Sequence, residues 1–120
     1  MKRLVTLALA CTAVMAAPAV ALAHAQLDHA SPASGSTVKP PSAVTLSFTE
    51  AVEPKFSSIE VQDAKGAAMQ RGAAQGVSGN TAQLTVALKP LAAGTYTVKW
   101  RVLSVDTHRT RGSFSFTVGP

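Results

Sequence analysis

Few side chains in this sequence could do chemistry. Beyond residue 23 it has three histidines (His24, His29 and His108), six carboxylates (positions 28, 50, 53, 60, 63 and 106), one methionine (Met69) and no cysteine. Two of these groups stand two apart, in Val105-Asp106-Thr107-His108. In an extended chain such residues project to the same face, so a carboxylate oxygen and an imidazole nitrogen can share one point. An Asp-x-His triplet equally suits a solvated turn in which the aspartate accepts local backbone bonds.

His24 changes the weight of that pair. Lys2 and Arg3 open the chain, residues 4–17 are almost wholly apolar and small, and Ala21-Leu22-Ala23 offers a small-x-small cleavage site. This is the pattern of a secretory leader over residues 1–23. Its apolar run is shorter than the roughly 20 residues that a bilayer-spanning helix needs. Cleavage after Ala23 would leave His24 with both an imidazole and a free α-amine of pKa about 7.7–8.0, two nitrogens able to chelate one ion. With His108 and Asp106 they make a nitrogen-rich tetragonal set, the preference of Cu(II) among first-row divalent ions. Zn(II) accepts the same donors. Two other readings stay open here: His24 as an incidental residue at a frayed terminus, and cleavage after Ala25, which would discard His24.

The leader also carries the chain's one cysteine, Cys11, so the mature domain has neither a disulfide nor a thiolate metal site. A lipoprotein reading of Cys11 would leave an apolar region of only about seven residues, at the short limit. Loss of Lys2 and Arg3 leaves nine basic residues against six acids, a formal charge of +3 rather than +5. The nine are scattered, with one loose cluster near His108, and give no nucleic-acid footprint.

Residues 24–120 suffice for one small domain with a modest core. Val44, Leu46 and Phe48 alternate with polar neighbours, as do Leu84, Val86 and Leu88, and Phe114, Phe116 and Val118. That period of two marks half-buried strands. Over residues 95–105 Tyr96, Val98, Trp100 and Val102 share one face, and the parity then slips at Leu103 and Val105. An extra residue there predicts a β-bulge. Turn chemistry in PASGS, KPP, DAKG and KPLAAG separates the strands, while residues 67–80 are too weakly patterned for more than a loop with a short irregular strand. About seven short strands predict an all-β fold, a small Greek-key barrel or sandwich of cupredoxin-like or immunoglobulin-like type.

Three stretches carry a resemblance: HAQLDHASPASGSTV, PSAVTLSFTEAVEPKFSSIEV and LAAGTYTVKWRVLSVDTHRTRGSFSFTV. With an N-terminal His, a P-x-x-G turn, an F-[ST]-E segment and a W-R-V-x-S-x-D-x-H run before F-x-F-x-V, the chain resembles the CopC family of periplasmic copper-resistance proteins over essentially its whole mature length. The resemblance implies a cupredoxin-like barrel that binds Cu(II) at one end without turnover, as a monomer, for buffering, resistance or delivery to an inner-membrane transporter of CopD type. The ligands it implies are His24, through amine and imidazole, Asp106 and His108. Glu50 matches a further acidic position, as a weak ligand or a hydrogen-bond acceptor. The methionine-rich loop that gives some members a Cu(I) site is absent, and Met69 reads as packing. Thr107 stands where Gly or Ser is common and Arg109 where Pro is frequent, so the loop is open to a different shape, with Arg109 or Arg111 pairing to Asp106 or Glu50.

Two functions of other classes use the same residues. A histidine-brace copper oxygenase also needs an N-terminal His and a second His, but one Trp, one Tyr and no long loops leave little substrate surface. A metal-free interaction module would be indifferent to His24 and His108. His29 is expected to lie on a strand outside the site, Trp100 in the core and Arg101 on the solvent face.

Overall fold

The computed structural model describes residues 25–120; the leader expected over residues 1–23, and His24 with it, lie outside that range. Eight strands form two four-stranded sheets. The first has the order β1 (Leu27–Ser31), β3 (Ala43–Phe48), β6 (Asn80–Leu88), β5 (Gln70–Val77). The second runs β2 (Thr37–Val38), β8 (Arg109–Val118), β7 (Gly94–Leu103), β4 (Ser58–Gln62). All pairings are antiparallel except β2 on β8. Among the described residues, helical structure is confined to one 3-10 turn, Pro54–Phe56. The alternation predicts this all-β class, and of the barrel and the sandwich it leaves open the structure has two sheets, with eight strands where about seven are expected.

The alternating apolar residues meet between the sheets. Val44, Leu46, Leu84 and Val86 from one sheet and Val61, Val98, Val102 and Phe116 from the other are buried in one core. Each large side chain so buried contributes roughly 1.5–3 kcal/mol. Trp100 is buried against Phe48 in an edge-to-face contact with ring centres 5.2 Å apart, and Met69 packs against the core from its margin. A Cβ at Gly112, opposite Trp100 across the β7–β8 ladder, would fall 2.5 Å from the indole, so the wide ring occupies the space a side chain there would need. Arg101 lies on the solvent face.

Two expectations need correction. The β7–β8 ladder holds its register through Val102↔Thr110 to Leu103↔Arg109, so there is no bulge at Val102-Leu103. The parity slips because Leu103, on the outer face, is half-covered by the neighbouring 3-10 segment, whose Ser57 hydroxyl accepts the Leu103 N–H while Glu53 N–H donates to its carbonyl. Val105 then stands exposed in the loop beyond the strand. Residues 67–80 contain an eight-residue edge strand, β5, whose register shifts twice against β6.

Candidate metal centre

Residues 104–108 close the β7–β8 hairpin and carry Asp106 and His108. Ser104 N–H donates to the His108 carbonyl at 2.9 Å, and Thr107 N–H donates to the Ser104 carbonyl at 2.9 Å. Thr107 adopts φ +71°, a left-handed conformation unusual for a β-branched residue. Its hydroxyl donates to the Asp106 carbonyl at 2.6 Å.

Ser104 is fully buried beneath this turn. Its hydroxyl accepts the His108 N–H at 3.3 Å and lies within bonding distance of Asp106 Oδ1 and, at 3.1 Å, of the His108 carbonyl. One hydroxyl offers one proton and two lone pairs, so this side chain ties the first, third and fifth residues of the turn together. The Ser104 hydroxyl is the main reason that the Asp106 carboxyl lies below its ordinary pKa of 3.8; contacts with His108 act in the same direction, and desolvation opposes them. The group is therefore a carboxylate under ordinary conditions.

The second Asp106 oxygen, Oδ2, is 3.3 Å from His108 Nδ1. With His108 53% and Asp106 37% exposed, both side chains are open to an ion from solution. Two donors each about 2 Å from one ion, at right angles, stand about 3 Å apart. The observed separation fits a shared ion after a small closure, and equally a proton held between nitrogen and oxygen. An acidic oxygen beside an imidazole nitrogen, both accessible, suits capture of a borderline divalent cation.

A second segment, residues 49–53, is tied to this turn. Ala51 O accepts the Val105 N–H at 3.1 Å, and Val52 bridges Ser104. Glu50 lies in this segment, half-buried. The chain's first described residues reach the same end. Thr49 N–H donates to Gln26 O at 2.8 Å, Gln26 N–H donates to Thr49 Oγ1 at 2.9 Å, and the Thr110 hydroxyl donates to the carbonyl of Ala25 at 2.7 Å. Ala25 itself is fully buried.

Of the expected site residues, the structure brings Asp106 and His108 together. His24 lies outside the described residues, and among those described no three His, Cys, Asp or Glu side chains gather as a metal-holding group; Glu50 stands in the adjoining segment. His29, exposed on β1, contacts its neighbour Asp28 at 3.1 Å. The expected pairing of Arg109 or Arg111 with Asp106 or Glu50 does not occur: both arginines fall on outward positions of β8, and the ion pairs among the described residues are His29–Asp28 and His108–Asp106. Sequence reasoning gave Ser104 no role. The signal available was a serine two before the aspartate and four before the histidine, the spacing at which one hydroxyl can tie a five-residue turn.

Residues 27–119 match the family model described as the CopC domain. The chain is 39% identical over 109 residues to Copper resistance protein C of Xanthomonas campestris pv. juglandis, covering 85% of each chain. The crystal structure of CopC from Methylosinus trichosporium OB3b superposes with a TM-score of 0.76 at 40% identity, covering 81% of this chain and 95% of that one. PcoC, a methionine-rich copper resistance protein from Escherichia coli, gives 0.69 at 32% identity over 80% of this chain and 99% of its own. With the match running from β1 to the end of β8 and the same two-sheet fold in its relatives, this chain belongs to the CopC family.

Proposed function

We propose that the protein is a periplasmic Cu(II) carrier made by cleavage after Ala23, with residues 24–120 forming the working domain. One Cu(II) is held by the amine and imidazole of His24, the imidazole of His108 and the carboxylate of Asp106. Glu50 serves as a weak ligand or as a hydrogen-bond acceptor at the rim. Copper is cargo: the protein buffers it, or hands it to an inner-membrane transporter of CopD type, as a monomer and without catalytic turnover.

The anchoring of Ala25 carries this reading. Residue 24 is one peptide unit from a buried alanine whose carbonyl is held by Thr110, two positions beyond His108. A trans peptide spans 3.8 Å between Cα atoms, so cleavage after Ala23 would create the new α-amine on the residue joined directly to this anchored alanine. The pair alone supplies two donors, too few for the four-donor tetragonal set that Cu(II) favours, and an N-terminal chelate supplies the other two. Cu(I) is disfavoured as the resident ion because soft ligation needs several sulfur donors, and Met69, the one methionine among the described residues, packs on the core beside β4 and Lys89.

The reading is tested on the exported protein. Intact-mass measurement is expected to find a chain beginning at His24, and Cu(II) titration followed through Trp100, the single tryptophan, is expected to saturate at one ion per chain. A mature chain beginning at Gln26, or no copper uptake, contradicts it.

A further inference from the structure

Positive charge is concentrated on half of one sheet face. Strands β4, β7 and β8 turn alternate residues to solvent. Toward the ends at Gly94 and Val118 the outward residues of β7 and β8 are Thr95, Thr97, Ser115 and Thr117. Toward the 104–108 turn they are Lys99, Arg101, Arg109 and Arg111, all exposed, with Ser113 and the half-buried Leu103. Four of the nine basic residues beyond residue 23 thus share one half-face.

This arrangement works against stability. Arg101 and Arg111 are directly opposite in the antiparallel ladder, and like charges so placed repel. The acid on this half-face, Glu60, is in register with Lys99, yet none of the four cations forms an ion pair among the described residues. Arg101 and Arg111 also border two adjoining open recesses. One of about 520 Å³ takes in Ser58, Glu60, Lys99 and Ser113, and one of about 340 Å³ takes in Arg109.

We propose that this half-face docks an acidic segment of a protein partner, with the arginine forks gripping its carboxylates while the 104–108 turn lies at the rim of the interface. Guanidinium groups bind carboxylates bidentately, which suits side chains held on adjacent strands. The arginines that border the recesses stand on neighbouring strands, a spacing that suits carboxylates along a peptide, and binding to a bilayer is an outcome the test separates. The delivery half of the proposed function supplies the purpose of such a contact, but the contact itself needs no copper.

The test uses the mature chain and a fluorescein-labelled peptide of alternating Asp and Ser, read by anisotropy at low and at physiological salt. The K99Q/R101Q/R109Q/R111Q variant is expected to weaken binding about ten-fold or more, whereas K39Q/K65Q/R71Q/K89Q, which removes equal charge from other exposed positions, changes it less than about two-fold. The double variant R101Q/R111Q is expected to give an intermediate loss together with an unchanged or raised Tm, which separates lost binding from lost folding. H108A is expected to lose copper and keep the peptide, so failure of the copper reading and failure of the docking proposal are distinguishable. Equal weakening by the two fourfold variants, no peptide binding at low salt, or tighter binding to phosphatidylglycerol vesicles than to the peptide overturns the proposal.

Discussion

Two five-residue turns in this molecule share one backbone plan and differ in use. In residues 63–67 and 104–108 the first N–H donates to the fifth carbonyl, at 3.0 and 2.9 Å, and the fourth N–H donates back to the first carbonyl, at 3.0 and 2.9 Å. The fourth residue has positive φ in both, 84° for Gly66 and 71° for Thr107. In both, a side-chain oxygen of the first residue accepts the fifth N–H: Asp63 Oδ1 from Ala67 at 2.9 Å, and Ser104 Oγ from His108 at 3.3 Å. In the first turn the carboxylate is occupied in holding its own backbone, since Asp63 Oδ1 also accepts the Lys65 N–H. In the second, a buried serine holds the backbone, and this frees the third position for a carboxylate and the fifth for an imidazole. A closing turn becomes a donor site by that transfer of duty. It also carries strain, because a threonine in the left-handed region costs roughly 1–2 kcal/mol where glycine costs little.

The comparison can be broken at several points. The largest effect is expected from His108→Ala, which should weaken Cu(II) binding beyond the roughly 10–100-fold typical of residues that only support a ligand, read by competition titration. Building D63S/K65D/A67H into the other turn should give no comparable site, because the proposed function assigns the N-terminal chelate to the 104–108 turn alone. Ser104→Ala should destabilise the fold by about 0.5–1.5 kcal/mol in chemical denaturation, since it removes the hydroxyl that ties the turn together, and should weaken copper binding about 10-fold or more. Asp63→Ala should destabilise without touching copper.

Smaller effects sharpen the backbone half of the comparison. Thr107→Gly is expected to stabilise the metal-free protein by about 1 kcal/mol, and Gly66→Thr to destabilise it by a similar amount, both read as thermal midpoints. The smallest effect is the acid dependence of Asp106. Its folded pKa lies below 3.8, so its contribution to stability is fully present above that value and is lost as pH falls through the folded pKa. The stability difference between the metal-free wild type and Asp106→Asn should accordingly be constant near neutrality and vanish in strong acid. A difference that grows on acidification would reverse the sign and contradict the hydrogen bonding at Ser104.

Much of this molecule was legible in its residues because alternation reports burial directly. Val44, Leu46 and Phe48, and Tyr96, Val98 and Trp100, face the core as the period of two requires. Strand β5 was obscure because an edge strand of Gln, Gly and Ala has almost no apolar face, and its pairing comes from β6. The apparent bulge at Leu103 was misread because its half-burial comes from residues 53–57, a tertiary contact with no local signature. Asp106 and His108 were legible from spacing, but Ser104 was not, since its work appears only once the turn closes. The arginines near His108 attracted an ion-pair reading that strand parity excludes, since parity directs Arg109 and Arg111 outward from β8.

The most direct test of the N-terminal chelate is electron paramagnetic resonance of the one-to-one Cu(II) complex of the chain beginning at His24, beside the same chain extended by one glycine before His24. The account expects a nitrogen-rich tetragonal signal from the first and its loss or replacement in the second, because the extension moves the amine away from the imidazole of His24. Identical signals and affinities in the two forms would contradict it.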